Sequence, residues 1–228
     1  MDGKPLVEFG FSELVIAISA IGALGTAAFA LVDAFKTLPY GGPSYIGYWK
    51  IERVLEGFAT VLERALPEGE WRGAIRAHWI NGRPRGEQKA IVKSLIRLGL
   101  APDTAPALAT SLHVAPEALT AVAEKLLAGT PLEERDVNVL GRLDASIEAY
   151  LDAAFDRADQ LYRNWSRVLA GTAAVLLALA ANYFLGTERS GPAFLVGLLA
   201  VPFAPIAKDL ASSLQAAALA VRSVKGRP

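Results

Sequence analysis

Three stretches of this chain carry no charge over about the length needed to cross the hydrocarbon of a bilayer: Leu14–Val32, Val168–Thr187 and Ser190–Ala207. Each is bounded by charge, namely Glu13 and Asp33, Arg167 and Glu188, and Arg189 and Lys208. One such run could be a buried core helix. Three in a chain of 228 residues, 53% of them hydrophobic, predict an integral membrane protein with three transmembrane helices. The first run is not expected to be a cleaved signal. Ala28-Phe29-Ala30 resembles a cleavage triplet, but Asp2, Glu8 and Glu13 against Lys4 are the wrong charges to precede it.

Basic residues near span ends mark the cytoplasmic side. Lys36, Lys50 and Arg53 follow the first span, and Arg157, Arg163 and Arg167 precede the second. Lys208, Arg222, Lys225 and Arg227 follow the third, whereas the other side offers Lys4 and Arg189. The expectation is an N-terminus outside, with the interspan segment and the C-terminus in the cytoplasm.

Between the spans, glycine and proline punctuate a helical pattern. Ile51, Leu55, Phe58 and Leu62 recur at helical steps over 45–66, Ser44 reads as an N-cap, and Pro67-Glu68-Gly69 closes the helix. Further helices are predicted near 70–80, 86–99, 103–112 and 116–128. From Glu133 a stalk helix is expected to run into the second span. Its seam is Ile147, Leu151, Ala154, Ala158, Leu161, Trp165 and Val168, packing on the 45–66 helix or on a second subunit. No period-2 pattern suggests a strand, so the fold class is all-α. The organisation reads as an N-terminal span (1–33), a cytoplasmic helical domain (34–132), the stalk (133–167), a transmembrane hairpin (168–207) and an amphipathic cytoplasmic tail (208–228).

Chemistry is sparse. With no cysteine, the sequence excludes disulfides, thiolate metal sites and a thiol nucleophile. His78 and His113 do not stand at a metal-ligand spacing, and no phosphate-binding loop, HExxH or GxSxG occurs. No catalytic residue, metal or cofactor is assigned, and the chain is not expected to be an enzyme. Balanced charge, 23 basic against 23 acidic residues, gives no reason to expect nucleic acid.

The most informative polar feature is a charge asymmetry. Arg72, Arg76, Arg83, Arg85, Lys89, Lys93 and Arg97 form a basic stretch, while acids dominate from Glu117 to Asp159. Either the two halves complement each other within one fold, or the basic stretch is a candidate surface for anionic lipid or an acidic partner. Tyr40, Tyr45, Tyr48, Trp49 and Trp165 read as an aromatic belt at the membrane interface, with packing in the domain core as the alternative. Lys208 and Asp209 mark the boundary of the third span, just after Pro202 and Pro205, which are expected to kink it.

Small residues line the spans: Ser19, Ala23, Thr26 and Ala30 in the first, Ala170, Ala174 and Ala178 in the second, Ala200 and Ala204 in the third. Such faces let helices associate closely, within a chain or between chains, so membrane lipids and a homo-oligomer are the expected partners. The expected function is a membrane anchor or scaffold that docks a cytoplasmic protein. The alternative is a pore-forming effector or channel component.

The last third of the chain, FDRADQLYRNWSRVLAGTAAVLLALAAN (155–182) and GLLAVPFAPIAKDLASSLQAAALAVRSVKGRP (197–228), resembles a functionally uncharacterised group of bacterial three-span membrane proteins. The resemblance rests on Phe155, Asp156, Trp165, Arg167, Asn182, Pro205, Asp209, Leu210 and Arg222. It implies an N-terminal span, a cytoplasmic helical region and a C-terminal hairpin, and it implies no activity.

Overall fold

The structure is a computed structural model that describes residues 11–38, 42–186 and 190–225. It is all-α, with no strand among the described residues. The helices are α1 (Phe11–Phe35), α2 (Pro43–Leu55), α3 (Ala59–Ala65), α4 (Glu70–Ile80), α5 (Arg85–Gly99), α6 (Ala105–Leu112), α7 (Pro116–Leu127), α8 (Glu134–Phe184) and α9 (Ser190–Lys225). Three of them, α1, α8 and α9, are long and apolar enough to cross a membrane. The chain divides into two compact units, one of residues 37–163 and one of residues 1–36 with 164–228.

The 37–163 unit is built around the stripe read from the sequence. Ile51, Leu55, Phe58 and Leu62 are all buried, with Trp71 and Ile75 of α4, Val92 and Ile96 of α5, and Leu108 of α6. The first half of α8 completes this core through Leu143, Ile147, Leu151, Phe155 and Ala158. The stalk therefore packs against the helix that follows the first span, within the chain. Its seam holds as far as Ala158, whereas Trp165 and Val168 are exposed.

Two local details differ from expectation. The 45–66 helix is broken by a 3₁₀ turn at Glu56–Phe58, where Gly57 lowers helical propensity and the Ser111 hydroxyl donates to the Gly57 carbonyl at 2.8 Å. Ser44 is not the N-cap of α2; Gly42 is, because Pro43 occupies the first turn, where its fixed φ fits and its missing N–H costs nothing. Ser44 is instead buried, and its carbonyl accepts the Trp79 indole N–H at 2.8 Å.

In the other unit, α1 and α9 pack antiparallel. A Cβ at Gly22 would fall on Ala207, and one at Gly25 on the backbone carbonyl of Ala200 and the methyl of Ala204. The buried face of α1 is Gly22, Gly25 and Ala28, while Ser19, Ala23, Thr26 and Ala30 are exposed. The small-residue rule was sound, but glycines rather than alanines set the contact, since only they let backbones meet this closely. In α8 the small face is as read, with Ala170, Ala174 and Ala178 buried. Gly197 of α9 lies against α8, where a Cβ would stand 2.5 Å from the Val175 Cα. The α9 helix continues through Pro202, Pro205 and the Lys208–Asp209 boundary as far as Lys225.

A matched pair of substitutions tests the packing. A Cβ at Gly99 would collide with the backbone carbonyl of Val61, whereas one at Gly141 on α8 meets nothing within 4 Å. Gly99→Ala should destabilise the protein by roughly 1–3 kcal/mol. Gly141→Ala should stabilise it by up to about 1 kcal/mol. Thermal unfolding of the purified chain reads both.

Candidate functional site

The basic stretch meets the acidic one along a single helix pair. Helix α5 carries Arg85, Lys89, Lys93 and Arg97 at four-residue steps, which places them on one face, and α8 carries Asp144, Glu148, Asp152 and Asp156 likewise. The two rows run in opposite directions and interlock. Arg85 pairs with Asp156 at 2.7 Å and Asp152 at 3.1 Å, and also donates to the Asp152 carbonyl at 2.7 Å. Lys89 sits between Glu148 and Asp152, Lys93 between Asp144 and Glu148 at 2.9 Å each, and Arg97 closes the row on Asp144 at 2.7 Å.

The remaining cations of the stretch lie apart from this ladder. Arg72 binds Glu56 at 2.8 Å and stacks 4.3 Å from the Trp71 ring centroid. Arg83 pairs with Glu87 one turn along α5 at 3.2 Å. Arg76 is exposed and enters no ion pair among the described residues. The structure thus brings together Arg85, Lys89, Lys93 and Arg97, and gives Arg72 and Arg83 partners elsewhere. The basic and acidic stretches complement each other through four of the seven cations, Arg85, Lys89, Lys93 and Arg97.

The ladder shifts the ionisation of its members. Hydrogen bonds from Lys89 and then Lys93 hold the Glu148 carboxyl below its ordinary range. At Asp144 burial pushes upward, but Lys93 and Arg97 outweigh it and the net shift is downward. Hydrogen bonds to Glu148 and Asp152 raise Lys89, and those to Glu148 and Asp144 raise Lys93. The acids' contribution is complete above their unfolded pKa near 4 and is lost as pH falls through the lowered folded values. The lysines' contribution is complete below about 10.4 and is lost as pH rises through the raised ones.

Magnitudes decide what the ladder does. Asp144 and Glu148 are 37% and 38% exposed, so solvent screens each pair to about 0.5 kcal/mol. Fully buried Val92 and Ile96 on the same helix contribute on the order of 2 kcal/mol each. Apolar burial therefore holds α5 down, and the ion pairs fix its register and direction on α8.

The aromatic residues expected at the interface are dispersed. Tyr48 is buried in the core, its hydroxyl donating to the Arg72 carbonyl at 2.9 Å, and burial raises its pKa. Tyr45 is partly buried, and Trp49 and Trp165 are exposed. Asp209 is exposed; Tyr40 and the side chain of Lys208 lie outside what the structure describes.

Sequence reading missed three polar residues that organise this unit. Glu63 accepts from the Trp71 indole at 3.1 Å and from the Gly69 N–H at 3.0 Å, fixing the turn into α4. Buried Thr104 donates to the Gly99 carbonyl at 2.8 Å and accepts from the Ala101 N–H at 2.9 Å. Asp136 accepts from the Glu133 N–H at 2.8 Å and from Lys125 at 2.7 Å, closing the start of α8. Only the last carried a sequence signal, an acid three residues into a helix.

Replacing Lys89, Lys93 and Arg97 by Glu should cost about 2 kcal/mol at pH 7, the sum of several screened pairs. Adding Asp144→Lys, Glu148→Lys and Asp152→Lys should restore most of it. The wild type should lose stability from about pH 4 downward, a limb that Glu148→Gln makes shallower. Thermal midpoints across pH measure all of these.

Among the described residues no cluster is placed to hold a metal ion. No protein-family description, curated protein or solved structure matches this chain.

Proposed function

We propose that the chain is a non-enzymatic membrane anchor and scaffold. It crosses a bacterial inner membrane three times, presents its helical domain in the cytoplasm and docks a protein partner there. The observation that carries this reading is the change of surroundings along α8. Through Ala158 the helix supplies core residues to the 37–163 unit, whereas from Val168 onward large apolar side chains are bare, with Leu176 62% and Phe184 83% exposed. A helix that is half core and half unshielded hydrocarbon suits a membrane anchor for a helical module.

Flanking lysines and arginines set the orientation, with the N-terminus and the connection between α8 and α9 outside. Assembly as a homo-oligomer draws on the face of α1 left open, Ser19, Ala23, Thr26 and Ala30, whose small side chains suit a second copy. Serial crossing makes the first and third spans parallel. The structure packs α1 and α9 antiparallel through Gly22 and Gly25, so that contact and serial crossing exclude each other, and the disulfide test below separates them.

The absence of cysteine makes the test clean. On intact cells a membrane-impermeant maleimide should label Ser190→Cys and spare Ala107→Cys, which should react only after lysis. Labelling of Ala107→Cys from outside would overturn the orientation. A disulfide formed in the bilayer between Gly22→Cys and Ala207→Cys would overturn the serial three-span topology.

A further inference from the structure

The 37–163 unit has a half-open cavity of 260 Å³ between α2 and α8. Its wall is apolar, made of Val54, Phe58, Tyr150, Ala153 and Ala154, with Arg157 at one end. Phe58 and Tyr150 meet edge to face at 6.3 Å between ring centroids. The two helices run antiparallel, since Gly47 lies against the Ala158 carbonyl while Phe58 lies against Tyr150. Lys50 and Arg53 stand one helical turn before Val54 and Gly57, so they lie toward the Arg157 end. None of these three cations enters an ion pair among the described residues, in contrast to the cations of α5.

The α8 residues that line the cavity, Tyr150, Ala153, Ala154 and Arg157, include no acid, while the ladder face of α8 carries four. The Gly57 carbonyl on the cavity wall is already taken by Ser111, so a peptide backbone laid there would lose that partner. The site offers one apolar slot and one cationic end.

We infer that this cavity binds a single acyl chain whose anionic head, a carboxylate or phosphate, is held by Arg157 with Lys50 and Arg53. Apolar burial supplies the affinity, and the cations select the charge and direct the chain inward. The inference rests on the anchor reading only for the supply of lipid, so the topology test can fail without moving the result below.

The full chain, reconstituted in phosphatidylcholine vesicles, is photolabelled with a diazirine-bearing fatty acid and, in parallel, a diazirine-bearing phosphatidylcholine. Labelled peptides are then mapped. The fatty acid should label peptides containing residues 54–58 and 150–157. Arg157→Glu should cut that labelling at least five-fold and Ala153→Trp should abolish it, with labelling of 168–184 unchanged as the standard for insertion. A photoreactive alkyl phosphate in place of the fatty acid shows which head is preferred, and labelling by either supports the site. Cavity peptides unlabelled beside labelled spans, labelling indifferent to both variants, or equal labelling by phosphatidylcholine would overturn the inference. So would crosslinks from these peptides to a partner protein or a second copy in place of lipid.

Discussion

A single helix, α8, changes character along its length, and the rest of the structure follows from how it does so. Over its first half the apolar residues fall on one stripe and the charged residues on another, the pattern of a helix with water on one side and a core on the other. Beyond Arg167 the charges stop and small residues take the inward face. The 37–163 unit forms on the first half because Leu143, Ile147, Leu151 and Phe155 are buried in the same core as the apolar residues of α2 and α5. The close helix packing of the other unit forms on the second half because alanine and glycine admit backbones that leucine would hold apart.

The acidic and basic rows of α8 and α5 illustrate a division of labour. Hydrophobic burial is non-directional and would tolerate α5 in several registers along the same groove. Four cations against four acids at matching four-residue intervals leave one antiparallel register in which every rung is filled. A slip of one turn strands a charge at each end. The ladder thus contributes specificity more than stability, and it draws most of the basic stretch into the fold. Arg157 on the cavity wall enters no ion pair among the described residues.

The helix boundaries of the central unit were legible because proline and glycine mark them: α4 spans Glu70–Ile80 and α7 Pro116–Leu127, against expectations of 70–80 and 116–128. The members of both rows were legible as a basic stretch and an acid-rich one, since charge composition is a property of one segment. Their pairing was not, because it depends on which helices become neighbours. The break at Gly57 was hidden by an apolar stripe that runs straight through it, from Leu55 to Phe58. Within the chain α1 meets α9 through Gly22 and Gly25, where contact with the α9 backbone selects glycine, and the face of Ser19, Ala23, Thr26 and Ala30 stays exposed. Continuation of α9 through two prolines contradicts the soluble-helix rule, yet long apolar helices accommodate proline where neighbours re-satisfy the freed carbonyls.

The central claim is that α8 passes without interruption from a protein core into hydrocarbon. A nitroxide scan of α8 from 140 to 184 in liposomes, one introduced cysteine at a time, measures it directly through accessibility to oxygen and to a water-soluble nickel chelate. The account predicts a helical alternation of protected and water-exposed positions up to about 163, with 143, 147, 151 and 158 protected. From 168 onward it predicts oxygen-accessible, nickel-excluded positions, apart from protected 170, 174 and 178. Nickel accessibility recurring with helical period from 168 to 184 would contradict it.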